Sequence, residues 1–412
     1  STSNKPTQKN NNYCSSTATL IKFAIAVTIL WIVKVCLSVM RFSIGFAALI
    51  ALLGPAGTFA WSASPLKPSL LGGAVPSVSD TSLYNVPPPS TDDPVALKEA
   101  SDREPPPSSF YELQLNCVRA AKLAMADGNK LIEVEFPPLP ANVLELDDVS
   151  AYDVAQANLK LALDFAKNFA QEGKKVAVLL PDEAEANIAI ENNGGTDNPY
   201  PDVTISSLRR SDENDERIFK PEQVLLSLFG NGSGGLVKVI PDTNMYVCIV
   251  ASAQELPDIE ELHGLDPDAT IVFYNLKLDI LRGDLGAPAF PSKEFQDRFL
   301  SEVKPVYYLR TRQYSRSTPN PPFMVNYQGC LFRSYPGQFQ TLLDTGNGKY
   351  RRVEGNSVRP ALGEFKQQLT DALKVEGILQ EEGKTLDFLR TGYKTTTWWE
   401  EERENASDSW KT

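Results

Sequence analysis

The sequence has very little histidine and no closely spaced cysteines. His263 is the single histidine, and none of the five cysteines forms a CxxC pair. One histidine leaves no multi-histidine metal site, and it limits Ser-His-Asp or Cys-His catalytic sets to those that use His263. The cysteine spacing argues against a disulfide framework and against a zinc site, and the GxxxxGK[ST] motif of P-loop kinases is missing. We therefore expect no metal and no cofactor, and no residue is predicted to be catalytic.

Acidic residues are missing from the first 79 positions. Residues 80–412 hold all 52 acidic residues and 34 of the 40 basic ones, so this part carries a formal net charge of −18. Such an acidic body repels phosphate backbones, and we expect no nucleic-acid partner. Apolar residues make up 42% of the 412 residues, which is enough for one large domain or two modest ones.

Two apolar segments, residues 20–39 and 42–60, lie near the N-terminus. The second follows a basic residue and ends among small residues, which is the pattern of a signal peptide at 40–60 with cleavage between Ala60 and Trp61. If Met40 is the start, residues 1–39 are an upstream extension or apolar segment. The alternative is that both segments span a membrane as helices, which their lengths permit.

The segment after Ala60 points to a location. Trp61 is followed by a Ser-rich stretch without acidic residues, and residues 61–107 as a whole are rich in Pro and Ser. This arrangement resembles the bipartite plastid presequences of algae with complex plastids, in which the import machinery reads an aromatic residue at this position. The resemblance implies import into the plastid, with 61–107 as transit peptide and disordered linker. We expect the protein in the stroma or associated with thylakoids.

From residue 108 onward, helix and strand patterns alternate. Ser109 and Glu112 form a capping box before an amphipathic helix that Gly128 ends, and Ser150 with Asp153 begins a second helix. Continuous apolar runs are typical of strands buried on both faces. The predicted strands are LIEVEF, KVAVLL, VTISSL, MYVCIVA and TIVFYNL. Helices between strands predict an α/β domain over residues 108–375, with a mostly parallel sheet flanked by helices.

The C-terminal part has a different pattern. VYYLRTRQY, GCLFRSYP and QFQTLLDTGNGKYRRVE predict antiparallel strands that extend the domain, and a last helix is predicted over residues 361–376. Residues 376–412 form an acidic tail that contains Trp398, Trp399 and Trp410. Exposed tryptophans in such a tail indicate a binding peptide, and the alternative is a disordered tail.

Several segments of the body resemble one family, in order along the chain. They are AMADGNKLIEVEFPPL, EGKKVAVLLPDEAE, ASAQELPDIEEL, VFYNLKLDILRGDLG, VYYLRTR and FRSYPGQFQTLL. They are similar to the plant, algal and cyanobacterial family called domain of unknown function 1995, over residues 110–373. Some members resemble the low photosystem II accumulation proteins. The resemblance implies a plastid auxiliary protein that assists the assembly or accumulation of photosystem complexes, and it favours this role over that of an enzyme. The implied partners are photosynthetic membrane-protein subunits or assembly factors, with peripheral association with thylakoids.

The segment NLKLDILRGDLG suggests an alternative function. It follows the strand TIVFY, and open parallel sheets bind ligands at the carboxyl ends of their strands. The segment contains Asn275, Asp279, Arg282 and Asp284. One hypothesis is a site for a small anionic ligand such as a nucleotide, in an enzyme or a binding protein. The other is a structural clasp in which Arg282 and Asp284 form an ion pair.

Other polar segments complete the set of candidates. Arg310 belongs to a patch of arginines and tyrosines that either meets an acidic partner or lipid headgroups or is an ordinary solvated strand edge. Arg333 is a further ligand or partner candidate. The glycine segment 230–235 matches GxGxxG, but a poor helix follows it, which favours a flexible turn. Asp182, Glu183 and Glu185 are interpreted as a helix start rather than a metal site.

Overall fold

The computed structural model describes residues 94–144, 149–193, 202–211, 235–283, 291–318, 321–346, 349–379 and 396–412. These residues belong to one unit, Thr81–Thr412. Several predictions lie outside the described residues, namely those on the N-terminal segments with Ala60 and Trp61, on Asp284, and on the glycine segment up to residue 234.

A mixed sheet forms the centre of the fold. The strands of the described residues are β1 Leu131–Glu135, β2 Val176–Leu180, β3 Val203–Ser207, β4 Arg209–Arg210, β5 Leu236–Val237, β6 Met245–Cys248, β7 Thr270–Tyr274, β8 Lys304–Ser317, β9 Met324–Ser334, β10 Phe339–Gly346 and β11 Lys349–Asn356. Nine of them form one sheet in the order β11-β10-β9-β8-β1-β7-β6-β2-β3, while β4 and β5 pair separately.

The two halves of the sheet differ in strand direction. From β8 to β3 all neighbours are parallel, whereas β8, β9, β10 and β11 pair antiparallel. This confirms the predicted α/β class with an antiparallel C-terminal extension. The strand β8 joins the halves, because it is parallel to β1 on one side and antiparallel to β9 on the other. The extension therefore continues the same sheet.

Helices cover both faces of the sheet. In the described residues they are α1 Pro94–Asp102, α2 Phe110–Ala126, α3 Ala141–Leu144, α4 Ala151–Ala170, α5 Glu183–Asn192, α6 Leu256–Leu265, α7 Leu278–Gly283, α8 Lys293–Arg298 and α9 Leu362–Val375, with a 3-10 turn at Leu300–Glu302.

The alternation of side chains along a strand divides the core into layers. Ile132 and Val134 of β1 point to the face that α2, α4 and α5 cover. Leu131 points to the opposite face, where α6 and α8 pack. A third cluster lies between α9 and the antiparallel strands β8 to β10. Burial on both faces explains why β1, β2, β6 and β7 are continuously buried.

The helix signals in the sequence are confirmed with small changes. The Ser109 side chain accepts the Glu112 N–H and begins α2, although the Glu112 carboxylate accepts hydrogen bonds from Ser108 rather than from Ser109. Both bonds of the capping box at Ser150 and Asp153 are formed at the start of α4. Gly128 follows α2 with a φ of 86°, a conformation that glycine adopts without strain.

One strand prediction needs correction. VTISSL was predicted to be buried on both faces, but Thr204 in β3 is exposed. The reason is that, among the described strands, β3 lies at the edge of the sheet and pairs with β2 alone. A run of β-branched and small residues predicts a strand without indicating whether it lies at an edge.

The connections around β1 and β7 create a switch point. The chain leaves β1 through α4, on the first face, and reaches β2 beyond β7 and β6. It leaves β7 through α7 and α8, on the second face, and reaches β8 on the other side of β1. Neighbouring parallel strands whose connections leave on opposite faces open a crevice at their carboxyl ends, where open α/β sheets bind ligands.

Candidate functional site

A cleft of about 490 Å³ lies at the carboxyl ends of β1 and β7. Its walls are the segment after β1, the N-terminal half of α4, the segments after β6 and β7, and part of β8. Apolar side chains such as Phe136, Val154 and Ile280 form much of its surface. Its polar and charged lining residues are Glu135, Asn158, Asn275, Lys277, Arg310 and Thr311. A mostly apolar cleft with a few polar groups is typical of small-molecule sites.

Backbone in a sparsely populated conformation surrounds the cleft. Val250, Asn275 and Lys277 have φ values of 61°, 53° and 55°, and all three line the cleft. The left-handed region favours glycine, and a β-branched valine there is a genuine outlier. Each such residue costs about 1–3 kcal/mol, and such strain is concentrated at functional sites. The strained residues therefore lie around the same cleft that the switch point of the sheet creates.

Asn275 holds the cleft walls together. Its backbone N–H donates to the Val134 carbonyl at 2.8 Å. Its side-chain oxygen accepts the Phe136 N–H at 2.8 Å, and its side-chain amide donates to Oδ1 of Asn158 on α4 at 2.7 Å. Asparagine tolerates the left-handed region better than most residues. Asn275 thus fixes the carboxyl ends of β1 and β7 relative to α4.

Glu135 is a buried carboxyl that lines the cleft. The residue is 6% exposed, and its Oε2 accepts the Lys277 N–H at 3.0 Å. Burial, followed by the neighbouring Glu133, raises the pKa of Glu135 to about 8, while the Lys277 N–H and Arg310 act in the opposite direction. At neutral pH the Glu135 carboxyl is therefore mostly protonated and can donate a hydrogen bond.

Asp279 on α7 is the centre of a buried ionic network. Its side chain is 4% exposed. Burial acts to raise the pKa of Asp279, but Arg359, Arg310 and Arg282 outweigh it and hold that pKa well below its usual range. The donors to the Asp279 carboxylate are Tyr308 Oη at 2.7 Å, Arg359 Nη2 at 2.5 Å, Arg310 Nη1 at 3.0 Å, Arg312 Nη2 at 3.5 Å and Arg282 Nη1 at 3.4 Å.

Positive charge is in excess around Asp279. We call Arg282, Arg310, Arg312 and Arg359 the arginine cluster; its carboxyl neighbours are Glu133, Glu135 and Asp279. Burial raises the pKa of both glutamates, which reduces the compensating negative charge further. Such a surplus attracts an anion. Arg310 extends the positive field to the cleft, since it also lines that cavity.

The C-terminal tail covers part of the arginine cluster. Trp399 and Trp410 are 6% and 5% exposed, and the Trp410 ring centroid lies 5.2 Å from the Arg282 guanidinium and 5.7 Å from that of Arg359. The Arg359 N–H donates to the carbonyl of Lys411 at 2.7 Å. The prediction of exposed tail tryptophans is wrong for Trp399 and Trp410, because their rings pack on buried guanidinium groups.

The structure brings together four of the six predicted ligand or partner residues. Asn275, Asp279, Arg282 and Arg310 lie in the cleft or the arginine cluster. The observed partner of Arg282 is Asp279, and Asp284 lies outside the described residues. The interpretation of the arginine patch as a solvated strand edge is wrong for Arg310 and Arg312, which both reach Asp279 across the sheet face.

Arg333 lies apart from the cleft. It stands opposite Tyr308 on β9, its Nε donates to the Gly337 carbonyl at 3.0 Å, and its guanidinium lies 4.7 Å from the Phe339 ring centroid. Burial lowers the pKa of Arg333 to about 10. These contacts give Arg333 a structural role in the turn between β9 and β10.

Sequence reasoning missed Glu133, Glu135 and Arg359. A signal for the glutamates was present, because LIEVEF places two carboxyls on one face of an otherwise apolar strand. Neither carboxylate oxygen of Glu133 has a hydrogen-bond partner in the described part of the chain, although the residue is 1% exposed. Arg359 gave no signal, since it reaches Asp279 from 80 residues further along the chain.

The remaining motifs have structural roles. The Asp182 side chain accepts the Glu185 N–H and begins α5. The half-buried His263 lies near the end of α6, which continues through Gly264 to Leu265.

The described residues contain no cluster of side chains that could hold a metal ion. No helix among them has the length and the continuous hydrophobicity that a membrane span requires.

One comparison with known proteins gives a match. The family model "Domain of unknown function (DUF1995)" matches residues 107–367, which is more than half of the chain. No curated protein matches the chain. No solved structure matches it either. The matched range contains the whole sheet, the cleft and the arginine cluster.

Proposed function

We propose that this chain, which belongs to the DUF1995 family, binds a small anionic molecule with an apolar body in the cleft between β1 and β7. The observation that carries the proposal is the cleft of about 490 Å³ at the switch point of the sheet, lined by three non-glycine residues in left-handed backbone. Independent features of topology and backbone thus coincide at one place.

The chemistry of the walls defines the class of ligand. Arg310 and Lys277 supply positive charge on the cleft lining, and the surplus charge of the arginine cluster adds to it. Phe136, Val154 and Ile280 offer apolar contact to the rest of the molecule. An aromatic or aliphatic carboxylate, sulfonate or phosphate satisfies both requirements, and a nucleotide belongs to this class.

Binding of 8-anilinonaphthalene-1-sulfonate, called the sulfonate probe below, tests the proposal. Ala155 lines the cleft, so Ala155→Trp should fill it and lower the affinity for the probe at least about tenfold, a loss of about 1.4 kcal/mol. Ala184→Trp, at an exposed position of α5, is the matched control and should bind the probe as the wild type does. Equal affinity of all three proteins would contradict the cleft as the binding site.

We further propose a cellular role as a plastid auxiliary protein that assists the accumulation of photosystem complexes. The support is the family of the chain, some of whose members resemble low photosystem II accumulation proteins, and the presequence pattern around Ala60 and Trp61. The proposed partners are photosynthetic membrane-protein subunits or their assembly factors, reached from the stroma or the thylakoid surface. The role and the cleft are compatible, since an auxiliary protein can depend on a ligand.

Replacement of Trp61 tests the location. A fluorescent fusion of the presequence should reach the plastid, and Trp61→Ser should leave it outside, because the proposed import step reads the aromatic side chain. The nearby Leu66→Ser is a matched control that should still be imported. Plastid delivery of the Trp61→Ser fusion would remove the ground for this location, and unchanged photosystem content in a strain without the protein would contradict the role.

A further inference from the structure

The surroundings of Glu135 disfavour the ionised form of its carboxyl. It is 6% exposed at the carboxyl end of β1, and in the described residues its carboxyl accepts one hydrogen bond, from the Lys277 N–H at 3.0 Å. A buried carboxylate needs several donors or a close cation to remain charged. Glu133 lies two residues away on the same face of β1, so ionisation of both would place like charges side by side.

The charged groups around Glu135 lie on β1, α7 and β8. Glu133 from β1 and Asp279 from α7 oppose its ionisation, whereas Arg310 from β8 and the Lys277 N–H favour it. Lys277 is also one of the residues that line the cleft. The lining residues from α4 and from the segment after β6 are uncharged, namely Ala151, Val154, Ala155, Asn158, Val250 and Ala251. Burial and like charge dominate, in agreement with the raised pKa of Glu135.

We propose that Glu135 is the specificity-determining residue of the cleft: in its protonated form it donates a hydrogen bond to an oxygen of the bound anion, which Arg310 and Lys277 attract. This inference rests on the proposed function and narrows it. The ligand carries an oxyanion (a carboxylate, sulfonate or phosphate) whose oxygen accepts from the carboxyl. A cationic ligand is rejected, because it meets Arg310 and Lys277 and offers Glu135 no acceptor.

Binding of the anion is thus coupled to the proton on the Glu135 carboxyl. Below a pH of about 8 the carboxyl already carries its proton, so affinity is constant. As the pH rises through the pKa of about 8, Glu135 ionises and its charge faces the anion. The dissociation constant then rises about tenfold for each further pH unit, which is the behaviour of one linked proton. The ligand is held at neutral pH and released in alkaline solution.

Titration of the sulfonate probe between about pH 6 and pH 9.5 tests this coupling, because the sulfonate stays ionised over that range. We expect wild-type affinity to break near pH 8 and Glu135→Gln to bind with constant affinity, since the amide donates a hydrogen bond but does not titrate. Glu191→Gln, exposed on α5, is the matched control and should keep the break. Glu133→Gln should move the break to lower pH, because a charge that opposes Glu135 ionisation is gone.

The outcomes separate the two proposals. If Ala155→Trp abolishes binding but the wild type shows no break, the cleft remains the site and the role of Glu135 is overturned. A break that persists in Glu135→Gln also overturns it. Binding that Ala155→Trp does not weaken, or no binding at all, overturns the proposed function and this inference together.

A second measurement does not depend on the folding of a variant. Carbon NMR of the wild-type Glu135 carboxyl should report a pKa near 8, which rises when the sulfonate probe is added. A pKa that stays the same or falls with the probe would overturn the hydrogen bond from Glu135.

Discussion

Asp279 illustrates how one residue can hold several others in a low-dielectric interior. Its carboxylate is reached by four arginines and Tyr308, and two of those arginines, Arg282 and Arg359, have side chains only 3–4% exposed. Buried guanidinium groups without a counter-ion are strongly unfavourable. Asp279 therefore stabilises the fold beneath the cleft, whereas Glu135 faces the cleft itself. Two nearby carboxyls thus have opposite pKa shifts and different roles.

Substitution of Asp279 should lower stability. Asp279→Asn leaves Arg282 and Arg359 without their counter-charge, and the free energy of unfolding should fall by about 3–5 kcal/mol, measured by urea denaturation at neutral pH. Asp268→Asn, at an exposed position, is the matched control and should change it by less than about 0.5 kcal/mol. A loss below about 1 kcal/mol for Asp279→Asn would contradict the structural role of the network.

The lowered pKa of Asp279 determines how the stability of the wild type and of Asp279→Asn depends on pH. The pKa of Asp279 is lowered from 3.8, so the unfolded chain takes up this proton more readily than the folded protein. The contribution of Asp279 is present above pH 3.8 and is lost as the pH falls below it. Wild-type stability should therefore decline more steeply in acid than that of Asp279→Asn, and parallel acid profiles would contradict the assignment.

At the scale of elements, α9 determines how the antiparallel extension is covered. Gly329 on β9 allows this approach, because an added Cβ would lie 2.6 Å from a methyl carbon of Leu369 and 2.7 Å from the Leu342 carbonyl oxygen. Leu369 belongs to the cluster that α9 forms with β8, β9 and β10. The absence of a side chain at Gly329 is thus a packing requirement rather than a turn requirement.

Two glycine substitutions should have opposite effects. Gly329→Ala should lower the free energy of unfolding by about 1–3 kcal/mol, because the new methyl group overpacks the contact with α9. Gly264→Ala, in α6 with no atom within 4 Å of the added Cβ, is the control and should raise it by about 0.4–1 kcal/mol through the unfolded chain. Thermal denaturation of both variants checks the pair, and a neutral Gly329→Ala would contradict the close packing of α9.

At the scale of the whole molecule, local sequence patterns predicted the individual strands and helices better than they predicted the order of the strands in the sheet. The apolar runs KVAVLL and TIVFY correctly predicted parallel strands, since continuous hydrophobicity reflects burial on both faces. The position of β1 between β7 and β8 was not predictable. It depends on which face each crossover takes, and this is decided by packing between residues far apart in the sequence.

The same limit applies to the candidate site. Asn275, Asp279 and Arg282 were predicted together because they follow one strand in one segment. Arg359 and Trp410 join them from the far C-terminal part of the chain, and no local pattern marks such partners. Glu135 was visible in the sequence as a carboxyl in a buried strand, but its place on the cleft follows from the strand order.

The central claim is that the cleft at the switch point binds a small anion. Amide NMR of the isotope-labelled protein, titrated with the sulfonate probe at neutral pH, tests it most directly. The account predicts saturable shifts at the cleft residues Lys277, Ala155 and the Asn275 side-chain amide, with the indole N–H signals of Trp399 and Trp410 unchanged. Shifts confined to the tail tryptophans, or no saturable shift at the cleft residues, would contradict it.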